Sequence, residues 1–267
     1  MFASCTDTSD SVTAPNLPPQ NTMEMDFSNF KTTSKVDVKS KTAADISNWL
    51  YASTNVSVWK TIIFTTLAVP VAAYKQVMKT EPVYIGDNTY EWTYTLEGFN
   101  GDYTAKLTGQ LMNTEMHWKM YITYNGSKSF NEFLWFTGVS NVDGTEGYWE
   151  LNHNVLNPVK ILRIDYKLEN EEITAMKYTY VRELDFNGNQ DNFNGSYIDY
   201  KIQDGDLDAA YHIHAYDHIS QMFNDIDIEW NRANHNGRVK APHFFNDDVW
   251  HCWNADKENV SCEETTS

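Results

Sequence analysis

His212-Ile213-His214, followed by Asp217-His218, has the residue types of a metal-binding strand. Side chains alternate between faces along a strand, so His212 and His214 share a side and could together hold Zn2+ or Cu2+. A metal site also needs further ligands and groups that orient them. The sequence points to neither, so these histidines are read as a solvated sheet face and no metal is expected. Asp185-Phe186-Asn187-Gly188-Asn189-Gln190-Asp191 places oxygen ligands at alternate positions, as a calcium loop does. Gln190 stands where that loop needs Gly, and Ser196 where it needs Glu, so a plain hairpin loop is expected. Asp225, Asp227 and Glu229 alternate with Ile226, Ile228 and Trp230. Paired carboxylates could perform the acid–base work of glycoside hydrolysis, but a solvated row of acids is the preferred reading.

No Gly-x-Ser-x-Gly elbow, Walker loop, dinucleotide fingerprint or His-Glu-x-x-His is present. No catalytic residue and no cofactor is therefore assigned, and the chain is expected not to be an enzyme. A hydrolase using Asp225, Asp227 or Glu229 ranks last among the functions considered. The formal net charge of −17 argues against nucleic acid, whose phosphates require clustered Lys and Arg. It also argues against docking of the folded surface on anionic headgroups.

The elements that must position these residues are mostly strands. Tyr90, Trp92, Tyr94 and Leu96 alternate with polar residues, as do Met116, Trp118, Met120, Ile122 and Tyr124. Leu162, Ile164, Tyr166 and Leu168 repeat the pattern, and similar runs lead to Trp230. About ten strands joined by short Gly, Asn and Asp turns make an antiparallel up-and-down meander. Asn100-Gly101, Asn125-Gly126 and Asp143-Gly144 are the clearest turn signals.

Ahead of the strands, Ile46, Trp49 and Leu50 recur at helical intervals, and a second helix is expected to start after Ser53 or Thr54 and reach about Met78. Val56, Trp59, Ile62, Ile63, Phe64, Leu67, Val69 and Val71 lie on every side of it. A helix apolar all round is expected to be buried all round, with a kink at Pro70. Its uncharged stretch, Thr61 to Tyr74, is shorter than the ~18–20 residues of a membrane span. A sheet of many strands tends to curl or close. The fold expected is thus mainly β (α+β): the meander curled into a barrel or half-barrel around a buried N-terminal helix. The organisation expected is a tether over residues 1–26, one domain over 27–262 with a strand at Val36–Val38, and a disordered tail over 263–267.

The cysteines are Cys5, Cys252 and Cys262. The simplest reading is a modified Cys5 and a Cys252–Cys262 disulfide, which needs an oxidising compartment. Two free thiols in a reducing compartment is the alternative. Trp250-His251-Cys252-Trp253 is read as a C-terminal clasp on the sheet end. Phe2-Ala3-Ser4-Cys5 resembles the end of a bacterial lipoprotein signal, although Phe2 replaces the usual Leu and a full signal would extend upstream of Met1. Lipidation of Cys5 follows from that resemblance.

Leu17-Pro18-Pro19, Met25-Asp26-Phe27-Ser28 and Val69-Pro70-Val71-Ala72-Ala73-Tyr74 resemble segments of uncharacterised outer-membrane lipoproteins of the Bacteroidota, flavobacterial type. So do Trp118-Lys119-Met120-Tyr121, Trp135-Phe136-Thr137-Gly138, Trp230-Asn231, Gly237-Arg238-Val239 and Trp250-His251-Cys252-Trp253. The resemblance implies anchorage in the outer membrane through Cys5, on the periplasmic face or the cell surface, and brings no activity with it. The function expected is a tethered, non-enzymatic binding module for an apolar ligand or lipid, with room between Pro70 and the sheet edge. The alternative is a surface lipoprotein that binds glycan or protein through exposed aromatics.

Overall fold

Alternation of apolar and polar residues carries through to the structure as one continuous sheet. The computed structural model describes residues 14–31, 47–97 and 100–262. Cys5, the expected strand at Val36–Val38 and the tail at 263–267 lie outside the described residues. The strands are β1 (Val83–Gly86), β2 (Thr89–Leu96), β3 (Gly101–Met112), β4 (Glu115–Gly126), β5 (Phe130–Asn141), β6 (Glu146–Asn154) and β7 (Asn157–Glu169). They continue with β8 (Glu172–Tyr180), β9 (Tyr197–Ile202), β10 (Ala209–Asp217), β11 (Met222–Trp230), β12 (Gly237–Lys240), β13 (His251–Trp253) and β14 (Asn259–Val260).

These fourteen described strands lie in a sheet whose spatial order is their sequence order, so the up-and-down meander is observed and is longer than expected. The extra strands are short pieces at the sheet ends, β1 and β12 to β14, too brief to show a period. Among the described residues β1 and β14 end the order without pairing with each other, so the sheet is not closed into a barrel.

One helix, α1 (Asn48–Val77), replaces the two expected. Ser47 caps it, its hydroxyl accepting from the Leu50 N–H at 3.2 Å. The proposed start at Ser53 or Thr54 fails because both hydroxyls turn back to the Leu50 carbonyl, at 3.1 and 2.7 Å, inside the helix. Trp59, Ile63, Leu67, Val71 and Tyr74 form the buried stripe. Burial all round does not hold: Val58, Ile62, Phe64 and Val69 are exposed on the opposite side. The open sheet covers a single side of the helix, and apolar content alone does not say which sides a neighbour covers. By length and composition α1 is also long and apolar enough to cross a membrane, since Lys60 interrupts the run without ending it.

The sheet's inner face carries the core, including Trp118, Phe136, Trp149, Ile164, Tyr178, Ile198, Ile213 and Ile228. α1 packs against β2 and β3 near one end of the strand order and against β12 and β13 near the other. The N-terminal segment completes the cover. Residues 14–26, assigned to the tether by sequence, instead belong to the fold: Thr22, Met23 and Met25 are buried. Their anchors are distant in sequence, as with the Trp149 Nε1–H donating to Thr22 Oγ1 at 3.1 Å. Cys252 and Cys262 stand at disulfide distance, with Cα atoms 5.1 Å apart. The same corner is tied to the start of α1, where Asn48 donates to the Cys252 carbonyl and to Asn259 Oδ1, both at 2.8 Å.

Candidate functional site

Strand parity sends the chemistry-bearing residues to the sheet's outer face. On β10, Tyr211 and Ile213 point into the core, which turns Ala210, His212 and His214 outward. On β11, buried Ile226, Ile228 and Trp230 turn Asp225, Asp227 and Glu229 outward. The register pairs His212 with Asp227 and His214 with Asp225. The metal candidates and the carboxylate candidates are therefore cross-strand partners, which sequence spacing alone does not reveal.

His212 Nδ1 lies 2.6 Å from Asp227 Oδ1, and His214 Nδ1 lies 2.6 Å from Asp225 Oδ1. His212 Nε2 is 3.5 Å from the same Asp225 oxygen. Glu229 accepts from Arg238 Nε at 2.7 Å, and Lys240 Nζ stands 3.7 Å from Asp227 Oδ2. Asp225 and Asp227 thus share His212, with His214 and Lys240 beside them, while Glu229 turns to Arg238. Among the described residues no group of three or more His, Cys, Asp or Glu side chains is placed to hold a metal ion. His218 sits apart, exposed, 4.0 Å from Asp217.

The Asp185 loop uses its carboxylate on itself. Asp185 Oδ1 accepts the N–H groups of Asn187 and Asn189 at 2.8 and 2.9 Å. These bonds, that of Asn189 foremost, hold the carboxyl below its ordinary range. Asp191 accepts the Phe193 N–H at 3.0 Å and the Tyr180 hydroxyl at 2.9 Å.

Asp199, Lys201 and Ala210, which sequence reasoning missed, join residues it named around a hollow of about 420 Å³ on this outer face. Ala210 lies in its floor, paired with Lys201 of β9 on one side and Glu229 of β11 on the other. Asp199, Tyr211, His212, Asp227 and Trp250 complete the lining. Trp250 lies over β12, its ring 4.4 Å from the Arg238 guanidinium carbon. Burial pushes the Asp199 carboxyl up, and Lys177, His212 and Lys201 pull it the other way. A second hollow of about 330 Å³ adjoins, lined by the Gln203–Leu207 turn, Glu229 and Arg238. The parity of β9 could have placed Asp199 and Lys201 on this face. Only the register brings them beside Ala210.

A different surface lies on α1. Val58, Ile62, Thr65, Val69 and Ala72 follow one another at intervals of four and three along its exposed side, with Phe64 beside them. Thr61, Thr65 and Thr66 turn their hydroxyls back to the carbonyls of Ser57, Thr61 and Ile62, at 2.8–2.9 Å. With their hydroxyls bonded to the helix itself, these threonines demand little further hydrogen bonding from solvent. α1 contains no Asp or Glu, in a chain that holds 37. No family model, curated protein or solved structure matches the chain.

Proposed function

We propose that the protein is a non-enzymatic, membrane-tethered binding module that engages the apolar region of lipid through the outer face of α1. The observation that supports this reading is the exposed stripe itself. Phe64 is 70% exposed and Val69 64%, on a helix free of carboxylates in a chain of net charge −17. An apolar surface of this kind, set in a polar molecule, marks an interaction site. The inward side of α1 is already covered by the sheet, so lipid would meet the outer side and not surround the helix. The apolar ligand expected from sequence therefore moves from a cavity near Pro70, which is itself buried, to an open surface.

Cys5 as the site of lipidation and the outer membrane as the address belong to the same proposal. An acyl chain brings the module to the bilayer, and the stripe adds a second contact of the kind that stable attachment requires. We also take the sheet to curl as a half-barrel, because α1 meets strands near both ends of its order. A fully buried Val, Ile or Phe contributes roughly 1.5–3 kcal/mol, an upper bound for a shallow interfacial contact.

Vesicle co-sedimentation of a Cys5→Ser protein, which cannot carry the acyl anchor, tests the helix surface alone. Binding to phosphatidylcholine vesicles is expected to persist at high salt, because its basis is apolar. Phe64→Asp and Ile62→Asp should each weaken it with no change in the unfolding midpoint. Protein that stays in the supernatant, or that self-associates through this face, overturns the reading. The glycan-binding alternative is favoured by a separate observation, the outer-face groove.

A further inference from the structure

We propose that the groove over β9 to β12 binds a neutral, polyhydroxylated chain, a linear glycan that spans both hollows and passes beside Trp250. The groove lies on the outer face of the sheet, and α1 packs on the inner one. This proposal therefore stands independently of the lipid reading.

The hollow exists because of one small residue. Ala210 is flanked across the register by Lys201 and Glu229 and followed on its own face by His212. A methyl among these longer side chains leaves a depression, and Trp250 closes its far side. At about 420 Å³ it falls within the ~300–1,000 Å³ of small-molecule sites.

Hydrogen-bond accounting selects the ligand class. Glu229 is engaged by Arg238, and Asp227 by His212 and Lys240. Asp199 accepts no hydrogen bond and Lys201 makes no ion pair among the described residues, so an acceptor and a donor remain unused within the same lining. A hydroxyl group both donates and accepts, and it brings no formal charge that must be stripped of water. A divalent cation would need converging carboxylates, and no such group is present among the described residues. A lipid tail would leave Asp199 and Lys201 without hydrogen-bond partners, at a cost. The indole of Trp250, whose ring already meets Arg238 and Lys240 of β12, adds apolar surface beside the C–H groups of a sugar ring.

The second hollow sets the length. Glu229 lines both, and its pair with Arg238 forms the saddle between them. A ligand that fills one hollow and continues over the saddle is a chain of more than one unit.

Calorimetric titration of the full chain with maltohexaose, cellohexaose and xylohexaose, and with glucose and xylose, tests this. At least one hexasaccharide should bind, about tenfold or more tighter than its monosaccharide. Ala210→Leu, which fills the floor, and Asp199→Asn should each weaken that binding by about tenfold, with the thermal midpoint unchanged. Lys201→Ala is the second variant should Ala210→Leu fail to fold. Three results overturn the proposal: no hexasaccharide bound, binding indifferent to all three substitutions, or binding equal for monosaccharide and chain. The vesicle assay reads the other face, and neither result predicts the other.

Discussion

Tyr178 and Met23, far apart in the chain, are joined by a single oxygen. The Tyr178 hydroxyl donates to the Met23 carbonyl at 2.9 Å and accepts the Met25 N–H at 3.0 Å. Tyr178 is fully buried, so this hydroxyl is what satisfies two backbone groups of the N-terminal segment. Tyr178→Phe removes the oxygen and keeps the ring. It should cost about 2–3 kcal/mol, because a carbonyl and an N–H are stranded away from water. Denaturant unfolding reads the loss, and hydrogen exchange at Met25 should rise before exchange in β7 or β8. A loss confined to a few tenths of a kcal/mol would mean that water reaches the segment.

The same device is used three times. Tyr74 of α1 donates to Pro18 at 2.7 Å, Tyr178 of β8 to Met23 at 2.9 Å, and Tyr211 of β10 to Asp26 at 2.8 Å. Burial raises the pKa of all three phenols above the ordinary tyrosine value. Each therefore holds its proton more tightly folded than unfolded. The stability they contribute is complete below the unfolded value of about 10 and is lost as pH climbs above it. Alkaline titration followed by tyrosinate absorbance should show exposed tyrosines ionising gradually and these three only in a cooperative step that coincides with unfolding. Gradual ionisation of all sixteen tyrosines would contradict their burial.

Gly138 stands directly opposite Trp149 in the register of β5 and β6, Gly109 opposite Trp118, and Gly237 opposite Trp253. A methyl built on Gly138 would meet the Trp149 ring at 2.3 Å, and one on Gly109 the Trp118 ring at 2.4 Å. The missing side chains are the room in which the indoles lie flat across the neighbouring strand. Gly138→Ala should cost roughly 1–3 kcal/mol through overpacking. Because the nearest clash is with a ring, and the Tyr148 carbonyl follows at 2.9 Å, pairing it with Trp149→Phe should recover part but not all of the loss, a coupling that a double-mutant cycle measures.

These pairs show where sequence reading stops. The alternation that built the meander was plain in β2, β4 and β7, because those strands are long and solvated on one face. Gly138 and Trp149 are both visible in the sequence, but nothing local says that they face each other. The N-terminal segment was misassigned for the same reason. Pro15, Pro18 and Pro19 read as a linker, and the tyrosines that hold the segment lie far along the chain. At the outer-face groove His212, Asp227 and Glu229 were singled out, whereas Ala210, which makes the hollow, has no chemistry to notice.

Cys252 and Cys262 close a short loop beside β13 and β14, at the corner where Asn48 starts α1. Cys252 is buried and Trp253 fully so. Replacing both cysteines by Ser should lower stability by roughly 2.5–3 kcal/mol in the chain-entropy account of a loop of this size. The unfolding midpoint of the native protein should fall on addition of reductant, and that of the double variant should not. An insensitive native midpoint would mean that the pair is not oxidised.

Ile62 and Ile63 are chain neighbours with opposite surroundings: Ile62 is 50% exposed and Ile63 5%. Ile63→Ala opens a cavity between α1 and the sheet and should cost about 2–5 kcal/mol. Ile62→Ala removes a side chain that touches little and should leave stability within about 0.5 kcal/mol. Ala is also the better helix former, which offsets part of any lost contact. Equilibrium unfolding of the two variants side by side separates a helix covered on one side from a helix enclosed by the sheet, because enclosure would make both substitutions costly. The contrast also controls the vesicle experiment. Only if Ile62 is dispensable for folding can loss of lipid binding on Ile62→Asp be charged to the surface and not to the fold.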